Sequence, residues 1–266
     1  MKLCISHTTT YTYDVPVIYG LQQVRLTPSN DCHQSVLTWS LAMEGAQIEG
    51  AYSDQFQNHT SLIQADIGAT KVVLTVSGDI ETHTSDGISG MTNDTVPMWL
   101  YMQPTPRTTA GPNIQALSKR IADSACNLEE LHALSAAILH NAPYQTDITT
   151  VTTTAEEALT LRRGVCQDHA QIFIAAVRHA GLPARYISGY LLMDNTTDQD
   201  ASHAWAEVYV AHLGWVGFDV SNGISPDERY VRLATGRDSK DAAPISGLRI
   251  GTSVEAMNVS LQIQQQ

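Results

Sequence analysis

The first eighty residues alternate apolar and polar positions with a period of two. Ile5, His7, Thr9, Tyr11 and Tyr13 share one face of a first run, and similar runs of β-formers recur over 36–43 and 71–80. Val24 and Leu26 lead into Thr27-Pro28-Ser29-Asn30-Asp31, a turn signal, with further turn clusters near 53–54 and 78–79. This spacing predicts an all-β unit over 1–82, a small sandwich or half-barrel. Residues 83–113 are dominated by Ser, Thr, Gly, Asp and Pro, broken by Met98-Trp99-Leu100-Tyr101-Met102. They read as a linker that docks through its apolar cluster.

The period then turns helical. Ile114, Leu117, Ile121 and Ala122 form one stripe, and Leu128, Leu131, Leu134, Ile138 and Leu139 a second. Asn127 is placed to cap the second helix, with Glu129 and Glu130 in its first turn and Pro143 ending it. Residues 155–161 predict a third, short helix, opened by a Thr154/Glu157 capping box. Ala170, Phe173, Ala176, Val177 and Ala180 give a fourth helix with one face inward, starting near Cys166 and stopped by Gly181 and Pro183. Strands follow at 184–193, 202–210 and 215–220, with a polar loop over 194–201. Beyond Ser221 the chain reads as irregular until a last strand over 255–263, whose final glutamines are expected to fray. The fold class is α+β, with a β-rich unit (1–82), a linker (83–113) and a mixed core (114–266).

Composition narrows the function. The chain has 266 residues, 43% of them hydrophobic and 16% charged, enough for a packed core. Its formal net charge of −12, with no basic run, excludes nucleic acid as a partner. No stretch approaches the ~20 apolar residues of a membrane-spanning helix. The opening residues lack the apolar segment of a secretory signal, so a cytoplasmic location is expected. Of the four cysteines, Cys4, Cys32 and Cys126 read as small buried hydrophobes, and no C-x-x-C pair is present. No cofactor is implied. Cys166, His169 and His203 are the only metal-like grouping, and a structural zinc site needs four ligands.

The chemistry concentrates in Arg162-Arg163-Gly164-Val165-Cys166-Gln167-Asp168-His169, which sets a thiol at a helix N-terminus. A thiol there becomes a nucleophile if an imidazolium holds the thiolate and a third group fixes the imidazole. His203 opens one predicted strand and Asp219 closes the next. They share a sheet face only if the connecting loop has an odd number of residues, which makes them opposed or diagonal neighbours. From spacing alone each has a plainer role: an inert buried thiol, a hydrogen-bonded structural histidine, an aspartate starting a turn.

Three blocks resemble the core of the bacterial transglutaminase-like proteins of the papain-like cysteine-enzyme superfamily. They are Arg163-Gly164-Val165-Cys166-Gln167-Asp168, Ser202-His203-Ala204-Trp205-Ala206-Glu207-Val208-Tyr209 and Gly214-Trp215-Val216-Gly217-Phe218-Asp219. His7-Thr8-Thr9-Thr10-Tyr11-Thr12-Tyr13-Asp14 and Val24-Arg25-Leu26-Thr27-Pro28 resemble the β-rich N-terminal domain that accompanies this core. Asp227-Glu228-Arg229-Tyr230-Val231 and Gly236-Arg237-Asp238 resemble its tail. The resemblance implies a β-sandwich-like domain before a papain-like core, whose helices carry the cysteine and pack on an antiparallel sheet. It also implies a Cys166-His203-Asp219 triad and acyl transfer on a peptide or amide substrate through a thioester. Hydrolysis is the expected outcome. Protein-glutamine transamidation, or a non-catalytic peptide-binding module, is the alternative. The chain departs from the family pattern at His169, Gln171, Val220, Ser221 and Ser239, which bears on substrate preference.

Overall fold

The computed structural model describes residues 1–91, 96–121, 127–194, 196–199, 201–251 and 254–266; Ala122 and Cys126 lie outside them. The first half contains β1 (Lys2–Tyr13), β2 (Tyr19–Val24), β3 (Gln34–Glu44), β4 (Ala46–Ser53), β5 (His59–Ala65) and β6 (Lys71–Thr82). A short β7 (Ile88–Gly90) and α1 (Met98–Met102) lead to α2 (Pro112–Ser118), α3 (Leu128–Asn141), α4 (Ala155–Leu161) and α5 (Cys166–His179). The strands β8 (Ala184–Leu191), β9 (Asp198–Gln199), β10 (His203–Val210) and β11 (Gly214–Phe218) follow. The chain ends with β12 (Tyr230–Gly236), β13 (Ile245–Ile250) and β14 (Glu255–Gln265).

The alternation in β1 determines the first layer. Leu3, Ile5, His7, Thr9, Tyr11 and Tyr13 are buried, and β1 lies at the centre of a sheet ordered β3-β6-β1-β14-β9. Its apolar face joins Val24 and Ile63 of a second sheet, β13-β2-β5-β4, and Leu26 just beyond β2, in one core. The last two strands, expected within the core unit, belong here. β14 pairs with β1 along its length and β13 pairs with β2. They supply strands that the 1–82 segment lacks, so residues 245–265 complete the sandwich rather than the core. The terminal glutamines are held, not frayed, since Gln266 N donates to the Lys2 carbonyl at 3.0 Å.

The mixed unit is a five-stranded antiparallel sheet, β12-β8-β10-β11-β7, with α5 packed on it. The linker therefore contributes a strand to this sheet. Its apolar cluster also docks: Tyr101 of α1 is fully buried beside Phe56, Val96 and Trp215. The predicted caps form, with Asn127 accepting from Glu130 N and the Thr154/Glu157 box closed in both directions. Helix α5 is buried on every side from Asp168 to Arg178, because α2, α3 and α4 cover the faces that the sheet does not. Arg178 is tolerated there because its guanidinium donates to the carbonyls of Tyr101, Ala184 and Arg237 and to Thr108 Oγ1.

Several strands gave no sequence signal, and for β4, β12 and β13 the reason lies in their burial. β4 is exposed along almost its whole length, so it carries no apolar alternation. β12 is largely buried on both faces, which erases the period of two, and β13 carries apolar Leu248 and Ile250 on exposed positions. Cys32 is exposed and Cys4 only partly covered, against the expectation for both.

The His7–Tyr190 contact crosses between the two units, and a buried ion-pair cluster ties strands within the mixed sheet. His7 Nδ1 lies 2.8 Å from the Tyr190 hydroxyl within a shared apolar cluster that includes Val231 and Leu233. Glu207 on β10 is buried between Arg185, whose Nε lies 2.6 Å away, and Arg232, with Ser89 donating at 3.2 Å. Burial would raise the Glu207 carboxyl, but Arg232 and Arg185 hold it down at about 2. Glu207→Gln should therefore lower unfolding stability at pH 7 by about 3 kcal/mol, the cost of opening a buried ion pair. Because the folded carboxyl titrates below its ordinary value of 4.5, that deficit is full above pH 4.5 and shrinks as the pH falls toward about 2. Urea denaturation of both proteins from pH 7 downward checks it.

Candidate active site

Cys166 is the first residue of α5, and Val165 is the extended residue before it. Gly164 is required by packing: a Cβ there would lie 2.7 Å from Asp168 Cβ and 2.8 Å from its Oδ2. That carboxylate accepts from Val165 N at 2.8 Å and from Thr149 Oγ1 at 2.7 Å, which ties the turn and the 149 loop to the helix start. Burial raises the Asp168 carboxyl, and these hydrogen bonds work against the rise. Gly164 also pairs with Tyr144, through Gln145 N donating to the Gly164 carbonyl at 2.9 Å. The thiol stays partly exposed while the backbone beneath it is fixed.

His203 and Asp219 come from adjacent strands. The β10/β11 ladder runs from Ala206↔Phe218 to Val210↔Gly214, so the loop 211–213 has three residues. An odd loop keeps the two side chains on one face, and this register makes them diagonal neighbours. His203 Nε2 lies 2.6 Å from Asp219 Oδ2, with both residues buried. This leaves His203 Nδ1 for the thiol, and His203 and Cys166 interact directly. Burial alone would lower the His203 pKa. The hydrogen bonds to Asp219 and Cys166, together with their charges, override it and raise the group to about 10. Burial would likewise raise Asp219, but its hydrogen bond to His203 and the imidazolium charge bring it below its ordinary value.

Two partners of Asp219 escaped the sequence reading. Tyr230 OH donates to Oδ2 at 2.7 Å, and Asn222 donates through Nδ2 at 2.7 Å and through its backbone N to Oδ1 at 3.2 Å. Asn222 had a weak signal, an Asn-Gly turn directly after the aspartate. Tyr230 had only its place in the tail block 227–231 that resembles the family, because its strand was not legible. Trp205 is buried, its ring stacked 6.4 Å from the His203 ring and edge-on to Tyr230. Trp205 thus packs beside the imidazole. Tyr144 is 54% exposed, its phenol raised by burial and by the charges of Cys166 and Asp219. The Gln167 amide lies 3.5 Å from the Thr150 carbonyl.

His169 and Ser221, both departures from the family pattern, meet each other. His169 Nδ1 lies 2.8 Å from Ser221 Oγ, and Nε2 lies 2.7 Å from the Ala142 carbonyl. Full burial lowers its pKa, with the bond to Ala142 pulling the other way. The neutral ring donates from Nε2 and accepts at Nδ1 from the serine. One side chain thereby ties α5 to the end of α3 and to the loop after Asp219.

Comparison with known proteins follows these two units. Residues 115–220 match the family described as "Transglutaminase-like superfamily", and residues 3–81 match the "Bacterial transglutaminase-like N-terminal region". An uncharacterized protein of Mycobacterium leprae is 26% identical over 275 residues, spanning 98% of each chain. One from Mycobacterium tuberculosis H37Rv is 28% identical over 272 residues, covering 92% of this chain and 86% of its own. A crystal structure from Cytophaga hutchinsonii, named a "putative cysteine protease", superimposes with a TM-score of 0.79 at 23% identity. It covers all of this chain and 91% of its own, and so shares the fold. The chain belongs to the transglutaminase-like superfamily through residues 115–220, with the bacterial transglutaminase-like N-terminal region ahead of them over residues 3–81.

Proposed function

We propose that the protein is a cysteine peptidase or amidase that uses Cys166 as nucleophile, His203 as acid and base, and Asp219 as the group that orients and charges the imidazole. The observation that carries this reading is the buried imidazole between the thiol and the carboxylate, its pKa raised to about 10. An imidazolium beside a thiol at a helix N-terminus favours the thiolate by ion pairing and by the helix dipole.

The thiolate adds to the carbonyl carbon of an amide, and the oxyanion is met by the unpaired N–H groups at the start of α5. His203 gives its proton to the nitrogen as the C–N bond breaks, leaving a thioester on Cys166 and a neutral imidazole. That imidazole takes a proton from water, whose oxygen displaces the thiolate and releases the acid. Tyr230 and Asn222 keep Asp219 ionised throughout, so the imidazole stays in one tautomer.

Iodoacetamide should alkylate Cys166 faster in the wild type than in His203→Ala by about 30-fold near pH 7, because a simple thiol with a pKa of about 8.5 is only ~3% thiolate there. The advantage shrinks as the pH rises through about 8.5, where an unassisted thiol ionises on its own, although the imidazolium persists up to about pH 10. A binding module would show the rate of a simple thiol, unchanged by the substitution. Tyr230→Phe should lower kcat by about 10-fold with KM little changed, since one charge-assisted bond to Asp219 is lost. Steady-state kinetics on a peptide-amide substrate checks it. Mass spectrometry of the products, with and without an added primary amine, should give the free acid in both. An amine adduct as the main product would move the assignment to transamidation.

A further inference from the structure

A cavity of about 420 Å³ lies between the segment 104–107, the loop ending at Thr154 and the turn 237–241. It contains none of Cys166, His203 and Asp219. Arg107, one of its lining residues, is fixed by a chain of hydrogen bonds. Arg107 Nη1 donates to Ser239 Oγ at 2.9 Å, Ser239 donates to Gln171 Oε1 at 3.0 Å, and Arg107 also donates to the Val151 carbonyl. The volume is that of a small-ligand pocket.

The walls are cationic. Arg107, Arg237 and Lys240 line the cavity together with Asp238 and Asp241. Both carboxylates are already engaged. Asp241 accepts from Arg237 Nε at 2.7 Å, and Asp238 Oδ1 accepts from the backbone N of Lys240 and Asp241 at 2.9 and 3.1 Å, which shapes the turn. Among the described residues, neither Arg107 nor Lys240 has an ion-pair partner. Arg107 Nε and Nη2 and both terminal nitrogens of Arg237 meet no protein acceptor there. Guanidinium donors left open on a concave wall match the paired oxygens of a carboxylate or phosphate. The chain as a whole is strongly acidic, so this local excess of cations is a departure from its own average.

We propose that this cavity is a binding site for a small oxyanion, a carboxylate or a phosphate, held by Arg107, Arg237 and Lys240. The ligand closes the local charge excess and takes the open guanidinium donors. Arg237 and Arg107 supply directional hydrogen bonds, and the exposed Lys240 supplies charge at the mouth.

The test titrates the full-length, nitrogen-15-labelled protein with inorganic phosphate and, separately, with succinate, against sodium chloride at matched ionic strength. Saturable amide shifts are expected at Thr152, Arg237 and Lys240. Affinity should fall about tenfold in Arg107→Gln and about tenfold in Lys240→Gln, one charge-assisted contact each. Tighter binding of phosphate assigns a phosphate ligand, and tighter binding of succinate assigns a carboxylate. Shifts that rise linearly with both anions, or wild-type affinity in both variants, overturn the proposal. Arg107 also braces the 150–154 loop, so Lys240→Gln, an exposed position, decides alone if Arg107→Gln does not fold.

Discussion

The structure of the site depends on one buried hydrogen bond, that between His203 Nε2 and Asp219 Oδ2. An imidazole enclosed by Trp205 and Tyr230 would ordinarily lose its charge, since burial disfavours the protonated form. The carboxylate reverses that outcome, and it can do so only because it is itself kept ionised. Four donors on Asp219, from the three residues His203, Asn222 and Tyr230, supply what water would have supplied at the surface. The charge on the imidazole is thus set by residues on three segments: β10, the turn after β11, and β12.

Those segments are held in register by structure that does no chemistry. The three-residue loop between β10 and β11 fixes which face each side chain takes. On the other side, α5 is enclosed by three helices and the sheet, so the thiol at its first residue is set relative to the imidazole by a packed core. Gly164 and Asp168 lock the turn into the helix, and His169 ties the helix to the loop beyond Asp219. A buried cluster in the same sheet contributes at a distance. Glu207 lies four residues along β10 from His203, and its ion pairs with Arg185 and Arg232 keep that strand against β8 and β12.

Much of this was legible in the chain. Helix α3, the capping box of α4 and the start of α5 follow from side-chain period and cap residues, which are local signals. The shared face of His203 and Asp219 followed from the period of two once the loop length was known. What was not legible is non-local or masked by burial. β12 is covered on both faces and shows no alternation, so Tyr230 could not be placed beside Asp219. β13 and β14 find their partners more than 200 residues away in sequence, which no local pattern encodes. The pairing of His169 with Ser221 joins positions 52 apart, and it shows only when α5 and the β11 turn are brought together.

The account turns on the protonation state of His203, and nitrogen-15 NMR of its ring reads that state directly. It predicts an imidazolium at neutral pH that releases its proton only near pH 10, and earlier in Cys166→Ala, where the thiol's hydrogen bond and charge are gone. A ring that is neutral at pH 7 in the wild type, and unchanged by Cys166→Ala, would contradict it.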